Sequence, residues 1–183
     1  LQLLQVPYTG CSPRGMGLAR GEALSKKLLA YHRIRVPAFA VFPLHKRVRR
    51  PSKLSFPLIV KSQSEHASVG IAQASVVDSD EKLVERVAFI HERIGTDAIA
   101  EQYIEGRELY VGVLGNDRLT ALPVWELEFG DLPDHARHIA TARVKHDPAY
   151  QERRGILQGP AEELSPEVLA RIRLGDSPKQ VFR

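Results

Sequence analysis

The stretch from residue 59 to residue 108, IVKSQSEHASVGIAQASVVDSDEKLVERVAFIHERIGTDAIAEQYIEGRE, decides the fold. An apolar run ends in Lys61, and a polar loop follows it as far as Gly70. A long amphipathic segment and a second apolar run, which ends near Glu101, complete the stretch. Because the hydrophobic period changes from one segment to the next, the sequence predicts strands and a helix in succession, and therefore mixed α and β structure.

The segment EKLVERVAFIHERI gives the strongest helix prediction. It places apolar residues on one helical face, and Ser79 or Asp80 stands where a side chain can cap the first turn. The residues of that face are Leu83, Val87, Ile90 and Ile94. Two further helices are predicted: one over Glu22 to His32, and a last one that begins with Ser165 as cap and Pro166 in the first turn.

Short apolar runs predict the strands. The predicted segments are Ala38 to Phe42, Leu58 to Lys61, Ile71 to Val77, Ala98 to Tyr103, Glu108 to Leu114, Leu119 to Leu127 and, weakly, Ile139 to Val144. Gly115, Asn116 and Asp117 form a turn signal, so Leu109 to Leu127 is predicted to be an antiparallel hairpin.

Composition limits the class of protein. The chain has 183 residues, of which 43% are hydrophobic, enough to bury a core in one domain or somewhat more. No apolar stretch approaches the roughly 20 residues that span a bilayer, and no basic segment precedes the apolar start, so we expect a cytoplasmic protein. Cys11 is the only cysteine, which excludes an internal disulfide.

The formal charge of +4 raises the question of nucleic acid, because basic residues cluster between His45 and Lys53. That segment, HKRVRRPSK, has neither a groove-reading element nor interleaved aromatic residues. A solvated connecting loop is the favoured interpretation. RNA binding through Arg47, Arg49 and Arg50 is kept as the third of three alternatives for function.

Two motifs suit the phosphates of a nucleotide. A lysine at the end of an apolar strand is partly desolvated, so Lys61 can make a strong contact with an oxyanion, although a lysine snorkelling at a sheet edge is common. The loop from Ser62 to Gly70 offers hydroxyls and successive backbone N–H groups, although an ordinary connecting loop would look the same. The sequence GxxxxGK[ST] of a P-loop is absent.

The motif EQYIEGRE suits the base and the ribose. The strand end Glu101 to Ile104 can present side chains and backbone groups to an adenine edge, and Glu108 can accept hydrogen bonds from ribose hydroxyls. The alternative is an acidic strand end paired with Arg107. Together with Lys61 upstream, the motif favours an ATP site.

Six motifs follow one another as they do in the D-alanine–D-alanine ligase family of ATP-grasp proteins. They are PYTGCSP, KKLLAYHRIRVP, FPLIVKS, ASVGI, EQYIEGRELYVGVLGN and ALPVWEL, and the resemblance covers most of residues 1 to 145. It implies an α+β, partial ATP-grasp fold, in which an antiparallel sheet with packed helices forms the nucleotide-binding subdomain. Residues 1–20 would end a substrate-domain region, residues 21–145 would bind nucleotide, and residues 146–183 would begin a C-terminal subdomain.

The resemblance also implies roles for particular residues. Lys61 resembles the lysine that contacts the nucleotide, Ser68 part of the phosphate loop, and Glu108 the ribose ligand. The adenine-facing segment would be Glu101, Gln102, Tyr103 and Ile104. Lys145 resembles a further basic residue near the phosphates. Catalytic residues are not assigned.

In the family that the chain resembles, ATP phosphorylates a carboxylate, and an amine then displaces the phosphate to form an amide. The implied cofactors are ATP and Mg²⁺, and the implied substrates are a small carboxylate and a small amine. The protein itself mainly positions the reactants and neutralises charge.

The chain departs from the family pattern in two places. Gly21 and Glu22 stand where the family has an Asp-Lys pair, so we expect weaker ATP binding or an altered pose. The segments that supply the family's magnesium ligands have no counterpart here. We therefore interpret the chain as an ATP-binding fragment that is inactive alone, with a noncatalytic binding or regulatory module as the alternative. An exposed sheet edge would favour a homodimer.

Overall fold

The structure, a computed structural model, describes residues 1–66, 68–116, 118–133 and 136–175. The chain forms two compact units, Leu1–Tyr103 (unit 1) and a second that begins at Ile104 (unit 2). The region boundaries inferred at residues 20 and 145 remain predictions. Each unit is described by itself.

Unit 1 is built on a four-stranded antiparallel sheet with strand order β1-β4-β2-β3. The strands are β1 (Phe39–Phe42), β2 (Leu58–Ser62), β3 (Val76–Val77) and β4 (Ala98–Gln102). The helices are α1 (Pro13–Arg20), α2 (Glu22–Tyr31) and α3 (Asp80–Phe89). Short 3-10 turns occur at Gln2–Leu4 and Gln73–Ser75, and a π-helical turn, Ile90–Ile94, continues α3.

The alternation of side chains along β2 gives the sheet two different faces. Leu58 and Val60 are fully buried in the core of unit 1, which also contains Leu83 and Val87 of α3. Lys61, between Val60 and Ser62, therefore lies on the opposite face of the strand. The helix α3 covers one face, and the other face carries the predicted phosphate-binding lysine.

The predicted helix over the amphipathic segment is confirmed as α3. Ser79 is its cap: the Ser79 hydroxyl accepts a hydrogen bond from the Lys82 backbone N–H at 3.3 Å. Ile90 and Ile94 continue the apolar face through the π-helical turn and pack against the core. The turn ends at Gly95, which adopts the left-handed conformation with φ 77°.

The helix predicted over Glu22 to His32 is confirmed as α2, but its apolar stripe is not buried. Leu24 is 46% exposed, Leu28 36% and Tyr31 82%, while Ala23 is the buried apolar residue of the helix. Its acidic and basic residues instead reach the sheet, as the site geometry shows below.

The strand predicted over Ile71 to Val77 is largely wrong, because only Val76–Val77 pair with β2. The Ser75 hydroxyl accepts a hydrogen bond from the Ala72 backbone N–H at 3.0 Å, which closes a 3-10 turn in place of extended backbone. Arg86 of α3 holds the same hydroxyl at 2.8 Å. A local side-chain bond thus overrides the β-branched composition of this segment.

Unit 2 contains a three-stranded antiparallel sheet with order β5-β8-β9 and a separate two-stranded ribbon of β6 and β7. The strands are β5 (Glu108–Tyr110), β6 (Val113–Leu114), β7 (Thr120–Ala121), β8 (Trp125–Glu128) and β9 (Leu157–Pro160). The helices are α4 (Ala142–His146), α5 (Pro148–Arg154) and α6 (Pro166–Gly175). The core of unit 2 is formed by Leu127, Phe129, Val144 and Ile156.

The hairpin predicted over Leu109 to Leu127 is confirmed in outline, although each arm is broken in two. Tyr110 pairs with Trp125, but Val113 pairs with Ala121, so two residues on the first arm oppose three on the second. The extra residue produces a bulge, which interrupts regular pairing. Gly115 is needed at the turn, because a Cβ there would lie 2.0 Å from the Arg118 carbonyl oxygen. Asp117, part of the predicted turn, lies outside the described residues.

The weak strand predicted over Ile139 to Val144 is wrong, because Thr141 starts a helix there. The Thr141 hydroxyl accepts a hydrogen bond from the Val144 backbone N–H at 3.3 Å and caps α4. The predicted start of α6 is confirmed, with Ser165 capping and Pro166 in the first turn. The sequence analysis did not predict α1, α5 or β9.

Candidate functional site

Four charged side chains meet on the face of the unit 1 sheet that carries Lys61. The Lys61 ammonium lies 2.6 Å from Oε2 of Glu22 and 3.1 Å from Oε1 of Glu101. The Lys26 ammonium lies 3.2 Å from the other oxygen of Glu101. We call these four residues the charge cluster; two lysines and two glutamates give it no net formal charge.

The register of the sheet explains how the cluster forms. Glu101 of β4 pairs directly with Ile59 of β2, so it is the diagonal neighbour of Lys61 on the same face. Glu22 and Lys26 are four residues apart on α2, which places them on one side of that helix. The two elements therefore present opposite charges to each other.

Burial changes the acid–base behaviour of the cluster. Burial of Glu22 raises the pKa of its carboxyl, the Lys61 charge opposes this, and the negative charge of Glu101 adds to it. For Lys61, burial works against the charged form, but attraction to Glu101 and Glu22 outweighs it and raises the pKa of the ammonium. Lys61 therefore stays protonated, and Glu22 is the acid that takes up a proton more readily than usual.

Replacing Glu22 with Gln should make the free energy of unfolding depend less on pH. A carboxyl whose folded-state pKa lies above its ordinary value of 4.5 stabilises the fold fully below that pH, and the contribution is lost as pH rises through the folded-state pKa. The unchanged chain should thus gain stability relative to Glu22→Gln on going from about pH 8 to about pH 5. Urea unfolding of both proteins at the two pH values measures this.

The matched control for that comparison is Glu92→Gln, which removes a carboxylate from an exposed position on the π-helical turn. Because Glu92 lies outside the charge cluster, its replacement should not reproduce the pattern. The account would be contradicted if the unchanged chain gained stability relative to Glu22→Gln as the pH rises from about 5 to about 8.

The predicted phosphate loop, which follows Lys61, is held at both ends. At its start, the Ser62 hydroxyl accepts hydrogen bonds from the backbone N–H groups of Ser64 and Glu65 at 3.2 and 3.0 Å. At its end, a guanidinium nitrogen of Arg86 donates to the Gly70 carbonyl oxygen. Ser68 is buried and adopts a positive φ of 62°. Ala67 lies outside the described residues.

The predicted adenine-facing segment runs along the end of β4. Glu101 is buried in the charge cluster, and Gln102 is exposed at the end of the strand. The Gln102 backbone N–H donates to the Ala38 carbonyl oxygen at 2.8 Å, and that of Tyr103 donates to the Pro57 carbonyl oxygen at 2.9 Å. Ile104, the first residue of unit 2, is 62% exposed.

Glu108 and Lys145 lie in unit 2. Tyr110 bonds to Glu108 and lines the same cavity as Lys145. The Tyr110 hydroxyl donates to Oε1 of Glu108, and partial burial together with this bond raises the pKa of Tyr110. Lys145 lines a cavity of about 300 Å³. The other lining residues are Tyr110, Trp125, Glu126, His146 and Gln158.

Arg107 does not pair with Glu108. Its guanidinium nitrogen Nε donates to Oε1 of Glu126 on β8 at 2.7 Å, and Nη2 also donates to the Glu162 carbonyl oxygen. The hydrogen bond from Arg107, more than its charge, lowers the pKa of Glu126. This pair links the start of unit 2 to its sheet, and the Glu108 carboxylate instead accepts a hydrogen bond from Tyr110.

Sequence reasoning found Lys61 and Glu101 but missed Lys26, which pairs with Glu101, and Arg86, which holds the end of the loop. The spacing of Glu22 and Lys26 on a predicted helix was a usable signal, since residues four apart share a helix face. Arg86 gave no comparable signal, because a charged residue within an amphipathic helix is usually solvated.

A cluster of metal ligands and a membrane-spanning helix are both absent from the part of the chain that the structure describes. Among the described residues, no three His, Cys, Asp or Glu side chains are grouped so that they could hold a metal ion. Nor does any helix within the described ranges combine the length and apolar character that crossing a membrane requires.

The chain is similar in sequence to one family of known proteins. Residues 28–134 match the family described as D-ala D-ala ligase C-terminus. An uncharacterized protein of Sinorhizobium fredii is 33% identical over 151 residues, which is 82% of this chain and 43% of that protein. The D-alanine–D-alanine ligase of Bordetella petrii is 38% identical over 130 residues, covering 69% of this chain and 38% of the ligase.

Solved structures give the same fold. The D-alanine–D-alanine ligase of Bacillus anthracis, solved in complex with ATP, matches 98% of this chain with a TM-score of 0.69 at 21% identity. The D-Ala:D-Ser ligase of Enterococcus faecalis matches 99% with a TM-score of 0.64. The predicted α+β, partial ATP-grasp fold is thus confirmed. The chain spans 52% of the first of these structures and less than half of the sequence relatives named above.

Proposed function

Because the chain belongs to the D-alanine–D-alanine ligase family of ATP-grasp proteins, we propose that it is the nucleotide-binding part of an ATP-dependent carboxylate–amine ligase. The single observation that carries the proposal is the charge cluster, in which a half-buried Lys61 is kept protonated on the face of the sheet opposite α3, beside the loop from Ser62 to Gly70. A fixed ammonium next to a loop of hydroxyl and N–H donors suits phosphate oxygens.

Each predicted residue has a part in this proposal. Lys61 contacts a phosphate oxygen, and Ser68 belongs to the loop that covers the phosphates. The segment made of Glu101, Gln102, Tyr103 and Ile104 faces the adenine, while the carboxylate of Glu101 itself stays paired with Lys61 and Lys26. Glu108 accepts hydrogen bonds from the ribose hydroxyls. Lys145, on the wall of the unit 2 cavity, supplies a second positive charge.

The reaction of the whole ligase would begin with transfer of the γ-phosphoryl group of ATP to a carboxylate, giving an acyl phosphate and ADP. The amine would then attack the acyl carbon, and phosphate would leave as the amide forms. The residues described here would bind and orient ATP and balance its charge. The carboxylate, the amine, the Mg²⁺ cofactor, a homodimer and a cytoplasmic location remain predictions.

A noncatalytic binding or regulatory module is the second candidate, and one observation favours it. Glu22 lies 2.6 Å from Lys61, so a carboxylate already neutralises the group proposed to hold phosphate. Such a module would bind ATP without hydrolysing it. An ATPase measurement with the carboxylate and amine of the family, made after adding a fragment of a related ligase that supplies the part this chain does not match, separates the two candidates. ATP hydrolysis in that mixture supports the ligase, and ATP binding without hydrolysis supports the module.

ATP binding should be lost when Lys61 is removed without unbalancing the charge cluster. The double variant Glu22→Gln with Lys61→Met leaves Lys26 paired with Glu101 and keeps the cluster neutral. Compared with Glu22→Gln alone, we expect at least about a tenfold loss of ATP affinity in isothermal titration, since a charge-assisted phosphate contact contributes roughly 1.5–3 kcal/mol. Equal affinity in the double variant and in Glu22→Gln would refute the proposed role of Lys61.

A further inference from the structure

Glu22 and Glu101 both contact the ammonium of Lys61, but they differ in burial and in the number of cations paired with them. Glu101 sits within β4, its side chain is only 6% exposed, and it has a second cation in Lys26. Glu22 is the first residue of α2, its side chain is 22% exposed, and among the described residues the cation paired with it is Lys61. Of the two carboxylates, Glu22 is therefore the one that can be displaced.

Glu22 is also tied to the predicted phosphate loop. Its backbone N–H donates to the carbonyl oxygen of Gln63, the second residue of that loop, at 3.3 Å. The carboxylate thus stands where the loop leaves β2, in contact with the ammonium at 2.6 Å. A phosphate oxygen bound by Lys61 would compete with this carboxylate for the ammonium.

We propose that Glu22 is a built-in competitor for nucleotide phosphate, which occupies the Lys61 ammonium in the empty site and must be displaced or neutralised before phosphate binds. This inference rests on the proposed nucleotide site and adds to it a residue that regulates the site. The cluster holds Lys61 in place through Glu101 and Lys26, so phosphate can replace Glu22 without dismantling the rest.

The electrostatics support a large effect. A phosphate and a carboxylate held close together in a half-buried site repel each other, and water screens them less than it would at the open surface. The burial that raises the pKa of Glu22 acts in the same direction, because it makes the neutral form easier to reach. Among the described residues, the charged groups that act on Glu22 are Lys61 of β2 and Glu101 of β4, and Lys26 of α2 pairs with Glu101.

The test compares three probes on three proteins by isothermal titration at one pH and ionic strength. The probes are ATP, inorganic tripolyphosphate and adenosine, and the proteins are the full unchanged chain, Glu22→Gln and the control Glu92→Gln. Glu22→Gln should bind ATP and tripolyphosphate about tenfold more tightly than the unchanged chain does. Adenosine should bind all three proteins equally, because it carries no phosphate. Thermal melting checks that every sample is folded.

Other results would overturn the inference in distinguishable ways. If the unchanged chain binds ATP and Glu22→Gln binds it equally or more weakly, the competitor role is wrong while the nucleotide site stands. If Glu92→Gln gains as much affinity as Glu22→Gln, the gain reflects overall charge and the competitor role is again wrong. If neither the unchanged chain nor Glu22→Gln binds ATP, the proposed function fails and the inference fails with it.

Discussion

Replacing Lys61 with Met alone is expected to destabilise unit 1 by about 3 kcal/mol, because it leaves two half-buried or buried carboxylates with one remaining cation. Glu101 is 6% exposed at its side chain and retains Lys26 at 3.2 Å, whereas Glu22 loses its partner at 2.6 Å. An unpaired carboxylate near a second one is costly when water cannot solvate it. Urea unfolding followed by circular dichroism measures the loss.

The double variant separates this charge effect from a loss of packing. Adding Glu22→Gln to Lys61→Met restores neutrality and should recover at least half of the lost stability. Lys53→Met, which removes a positive charge from an exposed position, is the control and should change little. A Lys61→Met protein as stable as the unchanged chain would show that the charge cluster does not contribute to the fold.

Replacing Gly130 with Ala should disrupt unit 2 by about 3 kcal/mol or more, because backbone leaves no room for a side chain there. A Cβ at this position would lie 2.2 Å from the Arg154 carbonyl oxygen and 2.3 Å from that of Gly155. Gly130 also adopts φ 54°, which disfavours any residue with a Cβ. Trp125, the only tryptophan, lies in unit 2 and reports its unfolding by fluorescence.

Gly159 provides the matched control in the same unit. It lies in β9, and a Cβ there would meet nothing within 4 Å. Gly159→Ala should therefore keep the native Trp125 signal and its unfolding midpoint. If Gly130→Ala unfolds at the same urea concentration as Gly159→Ala, the close approach of residues 130 and 154–155 is wrong.

The elements predicted correctly are those whose signals are local and agree with burial. The helix α3 combines a serine cap with a continuous apolar face, and β2 and β4 are apolar runs that end in charged or polar residues. The helices α1 and α5 were missed although Ser12-Pro13 and Asp147-Pro148 carry the same cap-and-proline signal as Ser165-Pro166. Both helices are short and contain no buried residue, so neither carries the long core-facing apolar stripe that identified α3.

The sequence predicted which residues form the candidate site better than it predicted which of them pair with each other. The resemblance picked out Lys61 and Glu22, and strand alternation places Glu101 on the Lys61 face once the register is known. That Glu22 bonds Lys61 depends on which side of α2 meets the sheet. The apolar stripe of α2 suggests that its own side of the helix packs inward, but Leu24 and Tyr31 of that stripe are exposed in the structure. A tertiary contact of this kind overrides the local pattern.

The most direct test of the central claim, that unit 1 holds nucleotide phosphate at Lys61, is isothermal titration of ATP with Mg²⁺ into the folded, unchanged chain. The account predicts saturable binding of one ATP per chain, and it predicts that the double variant Glu22→Gln with Lys61→Met binds ATP at least about tenfold more weakly than Glu22→Gln does. Absence of ATP binding to a sample that melts cooperatively would contradict the account, and so would equal affinity in Glu22→Gln and the double variant.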